Sequence, residues 1–258
     1  MAKIVPPIKR AGGKSRLLKH LLPLIEQAGK HACYAEAFGG GLAVLLNKPR
    51  SRVEVINDID GDLVNFYRQT QAHMPEIARL MRRQLNSRVL FNEARQPHVG
   101  ETEVERAVRY WFKNLTSFGG EGDSFGVAKS SIGGAATKRR NQLAALRQTA
   151  RRLDGVIVEH LDWQRLFRNY DGPQTLWFLD PPYVGGSQKS YSPWKIETMT
   201  AFRDAVRGLQ GRWIVTVRDT PEMRALWKGW KMKGVDRSVN IGSGNKKRFG
   251  ELIVWNLP

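Results

Sequence analysis

An α/β fold with a mostly parallel central sheet is the class this sequence predicts, from three observations. Strand-like apolar runs recur along the chain, stripes at helical spacing fall between them, and one long middle stretch carries helical patterns without strands. The runs lie at 33–38, 53–56, 155–159, 175–179, 212–217 and 251–256. Several are rich in Val and Ile or almost unbroken in apolar character, as suits strands covered on both faces. Leu17, Leu18, Leu21, Leu22 and Ile25 form the first helical stripe, which Pro23 is expected to kink or end. Leu63, Phe66 and Tyr67 mark a second helix, and Phe202, Val206 and Leu209 a third. From about residue 70 to residue 152 the alternation stops. Helical patterns there flank a Gly- and Ser-rich loop over 116–137 that carries Phe118 and Phe125 and is followed by Lys138, Arg139, Arg140, Arg147, Arg151 and Arg152. A loop of that length inside a compact domain is functional or disordered. The region reads either as an inserted lobe that touches nucleic acid or as an ordinary helical subdomain with a solvated charged face.

The length of 258 residues fits one large domain or a core with an inserted lobe, and 41% hydrophobic residues can build a sizeable core. Lys plus Arg number 42 against 24 for Asp plus Glu, a formal net charge of +18. That balance favours a polyanionic partner whose affinity falls with salt. Cys33 is the only cysteine, which excludes an intrachain disulfide and a zinc site built on several thiolates. It falls in a strand-like run, without the partners of a catalytic thiol, and reads as a core residue. His31, His73, His98 and His160 show no metal-ligand spacing. Residues 1–10 lack the apolar core of a signal peptide, and no stretch approaches the roughly 20 apolar residues that span a bilayer. A soluble cytoplasmic setting is therefore expected.

Chemistry concentrates at strand ends. Asp180-Pro181-Pro182-Tyr183 follows the run Leu176-Trp177-Phe178-Leu179, so a strand delivers it to its carboxyl end, where open α/β sheets place ligands. The two prolines fix the backbone and remove two donors while leaving the carbonyls as acceptors. An exocyclic amine on a purine needs such a place, because its lone pair is delocalised into the ring. Acceptors at Asp180 and the Pro181 carbonyl can hold both N–H hydrogens and draw the nitrogen toward tetrahedral geometry, while Tyr183 stacks on the base. The competing reading is an ordinary acid-proline turn. Glu36-Ala37-Phe38-Gly39-Gly40-Gly41 also follows a strand and opens a helix, and its glycines allow close backbone approach to a ligand. It lacks the last glycine of the dinucleotide fingerprint. Asp58, at the end of the next strand, suits ribose hydroxyls, so a nucleoside cofactor without a pyrophosphate fits. Lys9-Arg10-Ala11-Gly12-Gly13-Lys14 lacks phosphate-loop spacing. Asp162-Trp163, after a further strand, either flanks an adenine ring or supplies a helix N-cap and a buried indole.

In this order the motifs resemble the DNA adenine methylase family, the α-ordered class of N6-adenine methyltransferases. Lys-x-x-Gly-Gly-Lys comes first, then Phe38 to Gly41, the lobe, Asp180 to Tyr183, and a family-like ending at 242–248 and 251–254. The resemblance spans nearly the whole chain and is loosest in the lobe. It implies a Rossmann-like class I methyltransferase core over 1–69 and 153–258, with a mostly helical target-recognition lobe over 70–152. It also implies S-adenosyl-L-methionine as cofactor, held by Arg10, Lys14, Phe38, Gly39, Gly41, Asp58, Asp162 and Trp163. Asp180, Pro181, Pro182 and Tyr183 would be catalytic on an adenine flipped out of double-stranded DNA. Lys129, Lys138, Arg139, Arg140, Lys246, Lys247 and Arg248 would hold phosphates, and a monomer is favoured. The family often carries Trp where this chain has Arg10, and the lobe does not clearly reproduce the residues with which well-known members read GATC. Rival readings are transfer to cytosine N4 or to an RNA base, a non-catalytic DNA-binding protein on this fold, and a ribosome-associated basic protein. The last leaves the strand-end motifs unexplained.

Overall fold

The computed structural model describes the chain except for residues 1–2, 11, 97–98, 118–119, 121, 127–133, 186–193 and 241–245; for 134–140, 237–240 and 246–249 it gives the course of the backbone. The described strands are β1 (Cys33–Glu36), β2 (Val53–Asn57), β3 (Ile157–Glu159), β4 (Thr175–Leu179), β5 (Arg212–Arg218), β6 (Lys231–Asn240) and β7 (Lys246–Trp255). The helices are α1 (Leu18–Gln27), α2 (Gly61–Arg83), α3 (Arg88–Glu93), α4 (Glu103–Thr116), α5 (Gly134–Leu153), α6 (Trp163–Tyr170), α7 (Ile196–Arg207) and α8 (Pro221–Leu226). The chain clusters into two compact units, one of residues 1–22, 39–49 and 58–160, the other of residues 23–38, 50–57 and 161–258.

Six strands of the sheet belong to the second unit, in the order β2-β1-β4-β5-β7-β6. The β1–β2, β1–β4 and β4–β5 pairs are parallel, while β7 runs antiparallel to both β5 and β6. This is the predicted α/β class, Rossmann-like with a mostly parallel sheet. All five residues of β4 are buried, which is why its sequence is apolar from Leu176 to Leu179, while Thr175 at its start donates its hydroxyl to the Tyr170 carbonyl. Ala35, Trp177, Leu179, Val215, Val217, Leu252 and Val254 share one core with Leu166 and Phe167 of α6, Met199, Phe202 and Val206 of α7, and Met223 of α8. Side chains alternate across a strand, so Phe178, Thr216, Glu251 and Ile253 belong to the opposite sheet face. The chain leaves β1 toward β2 and returns to β4 on the other side. The carboxyl ends of β1 and β4 therefore flank the switch point at which open α/β sheets bind ligands.

In the first unit α2 packs against α4 and α5. Helix α4 buries Ala107, Val108, Trp111 and Phe112, a stripe at helical spacing, and starts at a capping box formed by Thr102 and Glu105. Phe66 of α2 meets Tyr110 and Trp111 with ring centroids 6.1 and 6.0 Å apart.

Four expectations change. Pro23 does not end its helix, since α1 continues through it to Gln27. The bond it omits is to the Lys19 carbonyl, and Lys19 and Pro23 are both exposed, so water can take that place while Leu18, Leu21 and Ile25 remain buried. The break falls instead in α2, where His73 leaves helical geometry (φ −129°, ψ 29°) two residues before Pro75, whose ring crowds the Gln71 carbonyl. The central loop is shorter than 116–137, because α5 begins at Gly134. Strand β6 was not expected, and β7 begins ahead of the apolar run at 251–256. Their outer halves carry Lys, Arg and Asp, as a strand hairpin at a sheet edge does, so no continuous apolar run marks them.

Candidate active site

The second unit contributes the end of β4. Pro181 is buried, while Asp180, Pro182 and Tyr183 are half-buried. Thr216 Oγ1 on β5 donates to Asp180 Oδ1 at 2.7 Å, fixing the carboxylate. The Tyr183 hydroxyl donates to Glu251 Oε2 on β7 and lies 3.4 Å from Asp180 Oδ1. A phenol has one proton, and the closer Glu251 takes it.

Near the end of β1, Phe38 sits edge-on to Trp194 and Phe202, with centroids 5.7 and 5.6 Å away. Trp163 meets Phe202 at 5.3 Å and Trp194 at 6.4 Å. The four rings form a partly exposed aromatic wall. Asp162 N-caps α6, accepting from Arg165 N at 2.9 Å, while its carboxylate stays exposed. The two readings of Asp162 are therefore compatible: one oxygen caps, and lone pairs remain for a ligand. Buried Asn57 ties this region together. Its amide donates to the carbonyls of Ala37 and Leu161, and its oxygen accepts from Leu161 N at 2.8 Å.

The first unit holds the glycine turn and the acidic strand end. Gly39 is buried and accepts from Leu42 N at 2.9 Å. Gly40 (φ 50°) and Leu42 (φ 56°) both lie in the left-handed region, and for Leu42 that geometry is strained. A side chain at Gly41 would meet Ile8 O at 3.3 Å, so a tight backbone approach needs glycine there. Asp58 braces this turn. Its Oδ2 accepts from Gly40 N at 2.9 Å and its Oδ1 from Asp60 N at 3.0 Å. Each oxygen keeps a second lone pair. Burial pushes the Asp58 carboxyl above its ordinary value, opposed by the Arg10 guanidinium and the two backbone donors.

Arg10 does not stand apart. It pairs with Asp60, the N-cap of α2, and donates to the Tyr110 hydroxyl at 2.9 Å. Burial raises the Tyr110 phenol well above its usual range, so it stays protonated. Lys14 is buried, with its ammonium 2.8 Å from Gly12 O. Asn114 of α4 exchanges hydrogen bonds with the backbone of Lys9 and also donates to Gly120 O, pinning the segment ahead of Lys14.

Arg10 and Asp58 thus belong to one network, and Asp180 and Tyr183 to another, with Thr216 and Glu251 as members that sequence reasoning missed. Their only sequence signals are a hydroxyl inside the apolar run Ile214-Val215-Thr216-Val217 and an acid opening the run from Glu251. Lys129 lies outside the described residues. Lys138, Arg139 and Arg140 fall on α5, and Lys246, Lys247 and Arg248 on β7, with side chains outside them. Arg152 is buried and offers no solvated face.

The family model for D12 class N6 adenine-specific DNA methyltransferases matches residues 11–241. The chain is also similar to the Type II methyltransferase M1.LlaDCHI of Lactococcus lactis subsp. cremoris. The two are 22% identical over 274 residues, which cover 97% of this chain and 95% of that protein.

Proposed function

The chain belongs to the D12 class N6 adenine-specific DNA methyltransferases, and from that premise we propose how its residues move a methyl group to N6 of adenine. The cofactor is S-adenosyl-L-methionine, which when bound supplies an electrophilic methyl group. Its fit is supported by the buried Asp58 carboxylate, whose spare lone pairs suit two ribose hydroxyls, and by the close-packed glycine turn at Gly39–Gly41. The exposed Asp162 carboxylate suits an adenine amine, and Trp163 and Phe38 suit its ring face. Arg10 and Lys14 supply positive charge toward the cofactor's carboxylate.

Asp180 and the Pro181 carbonyl accept the two N6 hydrogens of a flipped adenine, and Tyr183 stacks on the base. Holding both hydrogens localises the nitrogen lone pair, and the surplus proton leaves through the Asp180 carboxylate. Extruding the base from duplex DNA costs roughly a few kcal/mol, which phosphate contacts offset. Lys129, Lys138, Arg139, Arg140, Lys246, Lys247 and Arg248 supply those contacts, and residues 70–152 act as the target-recognition lobe on the core of 1–69 and 153–258. The enzyme acts as a single copy, in the cytoplasm of a bacterial cell or a phage-infected host. Among the described residues no helix is long and apolar enough to cross a membrane.

One observation carries this reading: Asp180 is held at the end of a buried strand by a 2.7 Å bond from Thr216, preorganised as an acceptor. Asp180→Ala is expected to abolish transfer of labelled methyl groups to DNA while calorimetry still detects cofactor binding. A fully active Asp180→Ala enzyme refutes the assignment.

A further inference from the structure

We propose that Thr216 and Glu251 are positioning residues of the methyl transfer, acting through Asp180 and Tyr183; the inference rests on the catalytic reading of those two residues. Asp180 follows β4, and Thr216 and Glu251 lie on β5 and β7. All three belong to the sheet face opposite the core made by Trp177, Leu179, Val215, Val217, Leu252 and Val254. The β4–β5 register pairs Leu179 with Val215, which brings Asp180 alongside Thr216.

Packing alone does not call for a threonine at this position. Thr216 is fully buried between Val215 and Val217, and valine has the same branched shape without a hydroxyl to satisfy. The hydroxyl has a partner, Asp180 Oδ1 at 2.7 Å. A carboxylate on a turn can rotate about its last torsion, and a single strong donor on one oxygen fixes its plane. Glu251 does the matching task for the ring. It is 3% exposed and accepts the hydrogen bond of the Tyr183 hydroxyl, so the ring that stacks on the base is held at its far end. The two contacts together turn a tetrapeptide on one strand into a site braced from two others.

Misplacing a reacting group by about an ångström costs on the order of 100-fold in rate. Thr216→Val is therefore expected to lower the single-turnover methylation rate at saturating DNA and cofactor by about 10- to 100-fold. KM for DNA and cofactor affinity should stay within about threefold, since neither contact is made by Thr216. Thr216→Ser, which restores the hydroxyl, is expected to recover most of the rate. Tyr183→Phe keeps the ring and loses the Glu251 tie, and should likewise lower the rate with KM held. Glu251→Ala removes the acceptor that holds the Tyr183 hydroxyl and should also lower the rate with KM held. If Thr216→Val fails to fold, Tyr183→Phe and Glu251→Ala carry the test. Wild-type rates in Thr216→Val or Tyr183→Phe, or a loss confined to KM, overturn the inference. An active Asp180→Ala enzyme marks failure of the underlying reading instead, whereas a dead Asp180→Ala beside a fully active Thr216→Val sinks the positioning role alone.

Discussion

Replacing Arg10 by Met tests the network under the glycine turn. The Arg10 side chain is 9% exposed, and its guanidinium serves Asp60 and the Tyr110 hydroxyl. Removing one partner of a fully buried ion pair costs about 3–5 kcal/mol, because the other charge is left uncompensated. Here Asp60 is 23% exposed and keeps the N–H donors of Asp62 and Leu63 at the start of α2, so a loss of about 2–3 kcal/mol is expected. The loss should also depend on pH. The folded pKa of Asp58 already lies above its ordinary value through burial, and Arg10 is the largest influence opposing that rise. Stability linked to a raised pKa is fully present below the unfolded value and is lost as pH rises through the folded one. Without Arg10 the folded pKa climbs further, so the charged form of Asp58 costs more near neutrality. The deficit of Arg10→Met should therefore be largest at pH 8 and shrink toward pH 5. Urea midpoints at both pH values, followed by tryptophan fluorescence, measure it. A deficit equal at the two pH values would show that Arg10 does not face Asp58, and one below about 1 kcal/mol at pH 8 would show that it does not pair with Asp60 in solution.

Asp58→Asn leaves one of two inward-pointing N–H groups, from Gly40 or Asp60, facing an amide NH2; cofactor affinity by calorimetry is expected to fall by about 10- to 100-fold, and unchanged affinity would remove Asp58 from the binding site. Trp111→Phe deletes the 3.0 Å bond from Nε1 to the Pro7 carbonyl and opens a small void at a fully buried position; a stability loss of about 2–3 kcal/mol in denaturant titration is expected, and no loss would mean that the N-terminal segment is not docked on α4.

Much of the fold was legible because burial writes itself into sequence. Strand β4 coincides with the apolar run at 175–179, and β5 extends its predicted run by one residue, since central parallel strands must be apolar on both faces. Strand β6 left no such mark, because one side of an edge strand meets water and tolerates Lys, Asp and Arg. Pro23 misled for a related reason: the rule against internal proline assumes that the orphaned carbonyl has nowhere to go, and on an exposed turn it has water. The turn at Asp180–Tyr183 stands out in the sequence because it is local, four consecutive residues at the end of an apolar strand.

What the tetrapeptide could not announce is what holds it. Direct transfer to an exocyclic amine needs no protein nucleophile, so the demand on the protein is orientation, and orientation is set by whichever neighbours reach the reacting side chains. Those neighbours come from strands far away in sequence and consist of one residue each, Thr216 on β5 and Glu251 on β7. A single hydroxyl in an apolar run has no period, no spacing and no flanking signature. It becomes meaningful once the register pairs Leu179 with Val215 and the alternation of faces turns Asp180, Thr216 and Glu251 to the same side. Asp58 follows the same logic: its place at a strand end pointed to a ligand, while its bracing of Gly40 and Asp60 emerged from three-dimensional contact. On the proposed reading, the residues that set the rate divide into those that touch the adenine, which cluster in sequence, and those that fix them, which do not.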